Sequence, residues 1–416
     1  MTAIPSQLRD AIIRVGPNTV ILPAGVGDSE LTELRSSRET VERLSVSAAD
    51  LPRLRGQLPE GLERLNVRGP EVTKPRWPGR YEDDGLSVSL QGVAADTISH
   101  LAALGRTVTR LEIYDCSDLT TGNLEPLTRC PKLQYLNLSG GVPDAVSLEP
   151  LTRCRELRYL TLSGGVPDTV SLEPLTRCPE LRYLTLSGGV PDTVSLKPLT
   201  RCRELRYLTL SGGVPDTVSL EPLTRCPKLS DLTLSGGVPD TVSLEPLTRC
   251  PELYSLTLSG GVPDTVSLEP LTRCPKLSDL TLSGGVPDTV SLEPLTRCPG
   301  LYRLTLSGGV PDAVLDSLSG CPGVQILILG DRQRPAETAF TAAAYTRLVK
   351  SCRKLWCLYL HCTADTGRAV LTALKEADLR YSNGWPRTIC LRVPVELYRQ
   401  LERQGGGRVE VCKWGK

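Results

Sequence analysis

The chain has 416 residues, with 48 Lys and Arg against 47 Asp and Glu and a net charge of +1. That balance supplies no chain-wide field for a polyanion, which counts against a general nucleic-acid or membrane-surface binder. At 40% hydrophobic and 23% charged the composition is globular, but with a single Phe the core has to be aliphatic.

From the N-terminus, the opening residues show no basic stretch followed by an apolar run, so they do not read as a secretory signal. No apolar run anywhere approaches the roughly 20 residues that cross a bilayer. Residues 1–123 carry short apolar alternations that read as strands: Val20 to Leu22, Leu44 to Val46, Leu65 to Val67, Val88 to Leu90 and Leu111 to Ile113. Their spacings are 24, 21, 23 and 23 residues. His100 falls in a helix-like stretch between the last two and is expected at the solvent surface.

Residues 124–315 repeat themselves. A 24-residue unit begins at Leu124 and returns at Leu148, Leu172, Leu196, Leu220, Leu244, Leu268 and Leu292, with 16 of its 24 positions identical throughout. In each unit a pattern such as Leu157, Leu160 and Leu162 predicts a strand with leucines facing inward. Ser-Gly-Gly-Val-Pro follows and must turn the chain, because Gly tolerates positive φ and Pro stops a ladder. Ser147 or Ser171 then offers a cap, with Pro in the first turn of a helical segment too short to be anything but 3₁₀-like. One unit cannot bury its leucines alone; stacked in register, the units share a continuous core.

Residues 316–416 continue in degenerate form. Strands are predicted at Leu327 to Leu329, Leu358 to Leu360 and Leu391 to Val393, separated by 31 and 33 residues that contain helix-like stretches. A last helix, a Gly-rich turn and a closing strand end the chain. The whole reads as one solenoid of about 16 turns.

The motif Cys-x-x-Leu-x-x-Leu-x-Leu, as in Cys130, Leu133, Leu136 and Leu138, resembles the cysteine-containing subclass of leucine-rich-repeat proteins. The Ser-Leu-Glu-Pro-Leu stretch is similar to internalin-like and some kinetoplastid repeats. The resemblance implies an α/β horseshoe, with a parallel sheet of about 16 short strands on the concave side and short 3₁₀ or α turns on the convex side. One departure matters. Where the family has Asn or Cys three residues after the last strand Leu, these units have Gly141, Gly165 and Gly189, so the usual side-chain ladder is missing. Cys116, after Leu111 to Ile113, does fit the family position.

Most cysteines recur at the unit interval, Cys130, Cys154 and Cys178 among them, which is not the clustered framework of a small secreted domain. They read as small buried hydrophobes in a reducing compartment, cytosol or nucleus. Cys352, Cys357, His361 and Cys362 are the one cluster with a chemical look. By alignment to the repeat, Cys357, Tyr359 and His361 point to the concave surface. Cys357 and His361 are then about 13 Å apart along a strand, too far for a nucleophile–base pair or shared coordination. His361 is therefore read as a surface contact. The Gly-Gly pairs have no Lys behind them to cradle phosphate. The row begun by Asp144 and Asp168 brings one carboxylate per turn, short of the six or more oxygens of a Ca²⁺ site. Glu149 with Arg153, and Glu173 with Arg177, are expected to pair on the outer face. No catalytic group, cofactor site or metal site is predicted.

Where the units differ is informative. The residue just before each strand Leu reads Tyr135, Tyr159, Tyr183, Tyr207, Asp231, Ser255, Asp279 and Arg303, and should project from the concave sheet. The position before it holds Arg158, Arg182 and Arg206. Tyr and Arg are common interface anchors. The expected function is a non-enzymatic scaffold binding a protein partner on this face. Two alternatives stand beside it: the substrate-recognition subunit of a ubiquitin-ligase-type complex, and RNA binding through the Tyr/Arg column. Asp231 and Asp279 on the same face weigh against RNA.

Overall fold

The computed structural model describes residues 18–28, 32, 41–54, 58–79, 85–104, 108–115, 118–144, 146–309, 311–318, 321, 323–331, 341–381 and 383–414. Cys116 lies outside them. The chain divides into two compact units, Met1–Leu205 and Arg206–Lys416.

In the first unit, strands β1 (Thr19–Ile21), β2 (Arg43–Ser47), β3 (Arg64–Arg68), β4 (Leu86–Gln91), β5 (Val108–Tyr114), β6 (Tyr135–Ser139), β7 (Tyr159–Ser163) and β8 (Tyr183–Ser187) pair in parallel, each with the next. In the second, β9 (Tyr207–Ser211), β10 (Asp231–Ser235), β11 (Ser255–Ser259), β12 (Asp279–Ser283), β13 (Arg303–Leu306), β14 (Ile326–Leu329), β15 (Cys357–Leu360), β16 (Ile389–Pro394) and β17 (Val409–Trp414) do the same. Among the described residues seventeen strands form where about 16 were read from the repeat, because the closing strand β17 also joins the parallel sheet. In the uniform repeats each leucine meets its counterpart one unit away: Leu160 faces Leu136 and Leu184, and Leu162 faces Leu138 and Leu186. These are the turns of a leucine-rich-repeat solenoid.

Within a unit such as 148–171, Leu148, Leu151, Leu157, Leu160 and Leu162 are all buried, as are Val166 and Val170. Each buried leucine contributes roughly 1.5–3 kcal/mol, realised only when a neighbouring turn covers it. Opposite the strand, Glu149–Arg153 forms a five-residue 3₁₀ turn with Pro150 in its first positions. The N-cap position falls to Leu148 and Leu172, but the serine one residue earlier still meets the first turn: the Ser147 hydroxyl accepts from the Glu149 N–H at 3.1 Å, and Ser171 does the same for Glu173. The expected pairing of glutamate with the arginine four residues on is seen at Glu293 and Arg297, 3.9 Å apart, but among the described residues no ion pair joins Glu149 to Arg153 or Glu173 to Arg177. A 3₁₀ turn has three residues per turn, so residues four apart are offset around it. Shorter contacts run between turns: Arg297 holds Glu269 through two bonds of 2.9 and 2.6 Å, and Arg273 meets Glu245 at 3.2 Å.

The missing side-chain ladder has a backbone substitute. Gly141 N–H donates to Ser163 O at 3.2 Å and Gly165 N–H to Ser187 O at 3.1 Å, extending the strand ladder one step into the turn. This requires very close approach. A Cβ on Gly188, where φ is +94°, would lie 2.3 Å from the Gly165 nitrogen. The neighbouring Gly165, at φ +117°, faces open space, its nearest atom being 4.0 Å away.

The cysteine row is more than filler. The Cys154 thiol lies 3.5 Å from Leu127 O, Cys178 from Leu151 O and Cys202 from Leu175 O, in each case donating to the preceding turn. The same carbonyls already accept a backbone N–H, as when Cys130 N–H meets Leu127 O at 2.8 Å. Burial pushes the thiols of Cys154, Cys226 and Cys250 up to about 12 and those of Cys178 and Cys274 to about 11.

The longer C-terminal connections fold as expected. After α1 (Thr121–Leu124) in the first unit, helices α2 (Asp312–Ser317), α3 (Ala342–Ser351), α4 (Ala364–Glu376) and α5 (Val395–Leu401) line the second unit, each packed on the next. Thr341 and Thr363 cap α3 and α4. At the far end of α3 sits a fully buried arginine. Arg387 donates from Nη1 to Cys352 O and, at 3.0 Å, to Leu355 O, and from Nη2 to Val349 O. A guanidinium there satisfies orphan carbonyls and opposes the helix dipole.

Two outcomes test this packing. Gly165→Ala should cost the strain of a positive φ alone, about 1–3 kcal/mol, while Gly188→Ala should cost clearly more; denaturation midpoints that fall equally would contradict the close backbone approach. The raised thiols set an alkaline limit. Above an ordinary thiol value of about 8.5 the unfolded chain sheds protons that the folded chain keeps, so stability falls as pH rises from there towards 11–12. Melting temperature measured between pH 8 and 9.5 should drop, and Cys154→Val with Cys178→Val should flatten the slope.

Candidate functional site

Side chains alternate along each strand. In β7 the leucines point into the core, while Tyr159, Thr161 and Ser163 stay half-buried on the opposite face. Tyr135, Tyr159 and Tyr183 are register partners in β6, β7 and β8. The strand spacing of about 4.8 Å is close to a ring-stacking distance. Tyr159 and Tyr183 stack with centroids 4.3 Å apart and planes 13° from parallel. Tyr135 tilts against Tyr159 at 5.6 Å. Beyond Tyr135, the Arg110 guanidinium lies 3.4 Å above the ring, and the Arg110 Nη2 meets Glu112 Oε1 at 2.5 Å.

Arg158 and Arg182 precede β7 and β8 and are half-buried, with their Nε atoms out of solvent beside the column. Their backbones continue the ladder: Arg182 and Tyr183 N–H groups both donate to Arg158 O, at 2.8 and 2.9 Å. In the second unit, Arg206 and Tyr207 are exposed, Tyr207 at 37%. Asp231 follows Tyr207 in register, then Ser255, Asp279 and Arg303. Asp279 pairs with Arg303 at 3.3 Å. Asp231 accepts from the Ser230 hydroxyl at 2.5 Å, and its carboxyl is raised by burial, with Asp279 adding to the effect.

The chain also covers part of its own sheet. Residues 69–79, between β3 and β4, lie across β3, β4 and β5 on the sheet face away from the leucines, the face that carries the tyrosines. Asn66 Nδ2 and Ser89 Oγ donate to Arg76 O at 3.0 and 2.6 Å, and the Arg76 N–H donates to Gln91 Oε1 at 2.9 Å. The Arg76 guanidinium sits 4.2 Å above the Tyr114 ring, whose hydroxyl bonds Glu112. Ser45, Asn66 and Ser89 are fully buried as a result. No periodicity announces this covering, since it lies in a connection between repeats.

The C-terminal cluster differs from its sequence reading. His361 is not a surface contact: it is 3% exposed, with the Trp414 ring 4.4 Å away. Tyr359 meets Trp414 edge-on at 4.8 Å, so the closing strand brings an aromatic cap that the motif could not show. Cys357 is likewise buried, opposite Cys390. Cys390 and Cys412 place their sulfurs 3.2 Å apart, a pairing that only the register of β16 and β17 reveals. Among the described residues no cluster of three or more His, Cys, Asp or Glu could hold a metal ion, and no helix is long and apolar enough to cross a membrane. Asp144 and Asp168 are exposed at the turn edge. His100 is half-buried rather than fully exposed. On the outer side a cleft of about 370 Å³ is lined by Glu221, Thr224, Arg225 and Arg249, positions shared by nearly all the repeats.

No family model matches the chain, and no curated protein matches it. Among solved structures it is similar to that of a TLR13–ssRNA13 complex, with a TM-score of 0.45 and 13% identity over 94% of this chain and 64% of that one. It is also similar to the mouse RP105/MD-1 complex, with a TM-score of 0.45 and 16% identity over 89% of this chain and 70% of that one. The chain thus spans less than two thirds of the first of these structures.

The stacked rings carry a direct test. In a double-mutant cycle, Tyr159→Ala and Tyr183→Ala should show a coupling of about 0.5–1.5 kcal/mol in folding stability. Additive losses would mean that the rings do not stack.

Proposed function

We propose that the protein is a non-enzymatic scaffold that binds a protein partner on the concave sheet face. Tyr135, Tyr159 and Tyr183 with Arg158 and Arg182 form the central surface in the first unit. Tyr207, Arg206, Asp231, Asp279 and Arg303 extend the same positions in the second. The observation that carries this reading is the 4.3 Å stack of Tyr159 on Tyr183. Tyr159 is flanked by Tyr135 and Tyr183, and Arg110 covers Tyr135, so these ring faces are already occupied within the chain. That suits contact with side chains and backbone of a polypeptide. Base recognition on single strands instead wants open aromatic faces. Stacking also fixes the side chains before a partner arrives, which lowers the ordering cost of binding. A reducing compartment, cytosol or nucleus, fits the row of buried thiols.

The test is crosslinking capture from native lysate, with and without ribonuclease. Captured protein should be lost with the Tyr159→Ala, Tyr183→Ala double variant and retained with Ser255→Ala, by about 2 kcal/mol or more per anchor once affinity is measured. Equal capture by wild type and the tyrosine variant, or capture that ribonuclease abolishes, would overturn the reading.

A further inference from the structure

We infer that Tyr207 and Asp231 receive an arginine side chain from an extended, proline-flanked segment of the partner, in the way residues 74–79 lie on the chain's own sheet. This rests on the scaffold reading and adds the chemistry of what is bound.

Twice in the first unit a guanidinium rests on a tyrosine ring beside one carboxylate. Arg76 lies over Tyr114, whose hydroxyl bonds Glu112; Arg110 lies over Tyr135 and pairs with the same Glu112. The combination favours arginine over lysine. A flat, weakly hydrated guanidinium can stack on a ring and donate in-plane to a carboxylate at once, whereas an ammonium is a compact, strongly hydrated point charge. The segment bearing Arg76 runs Lys74, Pro75, Arg76, Trp77, Pro78 and Gly79. Its flanking prolines favour an extended course with few backbone donors of its own. The sheet supplies what it needs: side chains at the middle and last strand positions, Asn66, Ser89 and Gln91, bond the Arg76 carbonyl and N–H.

The second unit carries a tyrosine and a carboxylate on the corresponding sheet face, on neighbouring strands rather than on one. Tyr207 and Asp231 are register partners in β9 and β10, about one strand spacing apart. Tyr207 is exposed, and Ser255 beyond Asp231 is small. Asp279 already has Arg303, whereas Asp231 has the Ser230 hydroxyl and no ion pair among the described residues. Thr209, Thr233 and Thr257 hold the middle strand positions, where Asn66 and Ser89 bond backbone in the first unit. An aromatic ring, a carboxylate lacking a cation and a row of hydroxyls are what Arg76 and its neighbours use.

The experiment is fluorescence anisotropy on the full chain with a fluorescein-labelled peptide copying residues 73–79. A second peptide carries citrulline for arginine, and a third carries lysine. Saturable binding is expected for the arginine peptide, weakened about tenfold or more by citrulline and less steeply by lysine. Asp231→Asn and Tyr207→Leu should each weaken it by a similar factor with an unchanged melting temperature, while Ser278→Ala leaves it intact. Absence of saturable binding, or binding indifferent to citrulline or to Asp231→Asn, would sink the arginine assignment. Partner capture that still depends on Tyr159 and Tyr183 would then leave the scaffold reading standing; loss of both would remove the two together.

Discussion

Everything in this protein depends on one constraint: a turn of 24 residues has no core of its own and acquires one only when the next turn lies on it in register. Leu160 is buried because Leu136 and Leu184 flank it, and the same holds for each inward leucine. The constraint falls on register rather than on unit length: connections of other lengths also deliver their strands in register, with Leu44 opposite Leu65 and Leu327 opposite Leu358. The surface follows from it, since in-register stacking repeats whatever stands at an outward position every strand spacing.

Two devices hold that register, and both use small groups. The Gly-Gly turn brings backbone against backbone, with Gly141 and Gly165 N–H groups reaching the following strand's Ser163 and Ser187 carbonyls. The cysteine is buried between turns and directs its S–H to a carbonyl of the preceding turn. A larger residue would overpack the site, and an alanine would leave that acceptor one donor fewer. On the outer surface, glutamate–arginine contacts bridge neighbouring turns, but they are solvent-exposed and contribute little beside the leucines.

The outward face is less uniform than the repeat that builds it. In the first unit, residues 69–79 close the face of β3 to β5 and leave the tyrosines of β6 to β8 half-buried beside them. In the second, Trp414 covers His361 and Tyr359, while Tyr207 remains exposed. The sheet face is therefore least covered by the chain's own connections where the repeats are most regular and where their variable positions change from tyrosine to aspartate. The positional logic that stacks leucines inside also stacks Tyr159 on Tyr183 outside.

The periodic part of the structure was legible in the sequence, because a strand's alternation and a unit's length are local properties that repetition amplifies. Strand positions, inward leucines, buried cysteines, serines bonded to the first turn and the outward tyrosine row all follow from spacing. What spacing could not give are contacts between residues far apart in sequence and in no periodic relation. Arg387 ends α3 from 35 residues beyond Cys352. Arg76 lands on Tyr114 because an irregular connection folds back, and Trp414 buries His361 because the closing strand joins the sheet. The shorter outer-face ion pair of Arg297 runs to the neighbouring turn for a similar reason: the four-residue spacing suited an α-helix, and the proline-started turn is 3₁₀. Sequence determined which residues stand on each face; only the tertiary structure decided which of them remain open, because burial depends on what the rest of the chain lays over them.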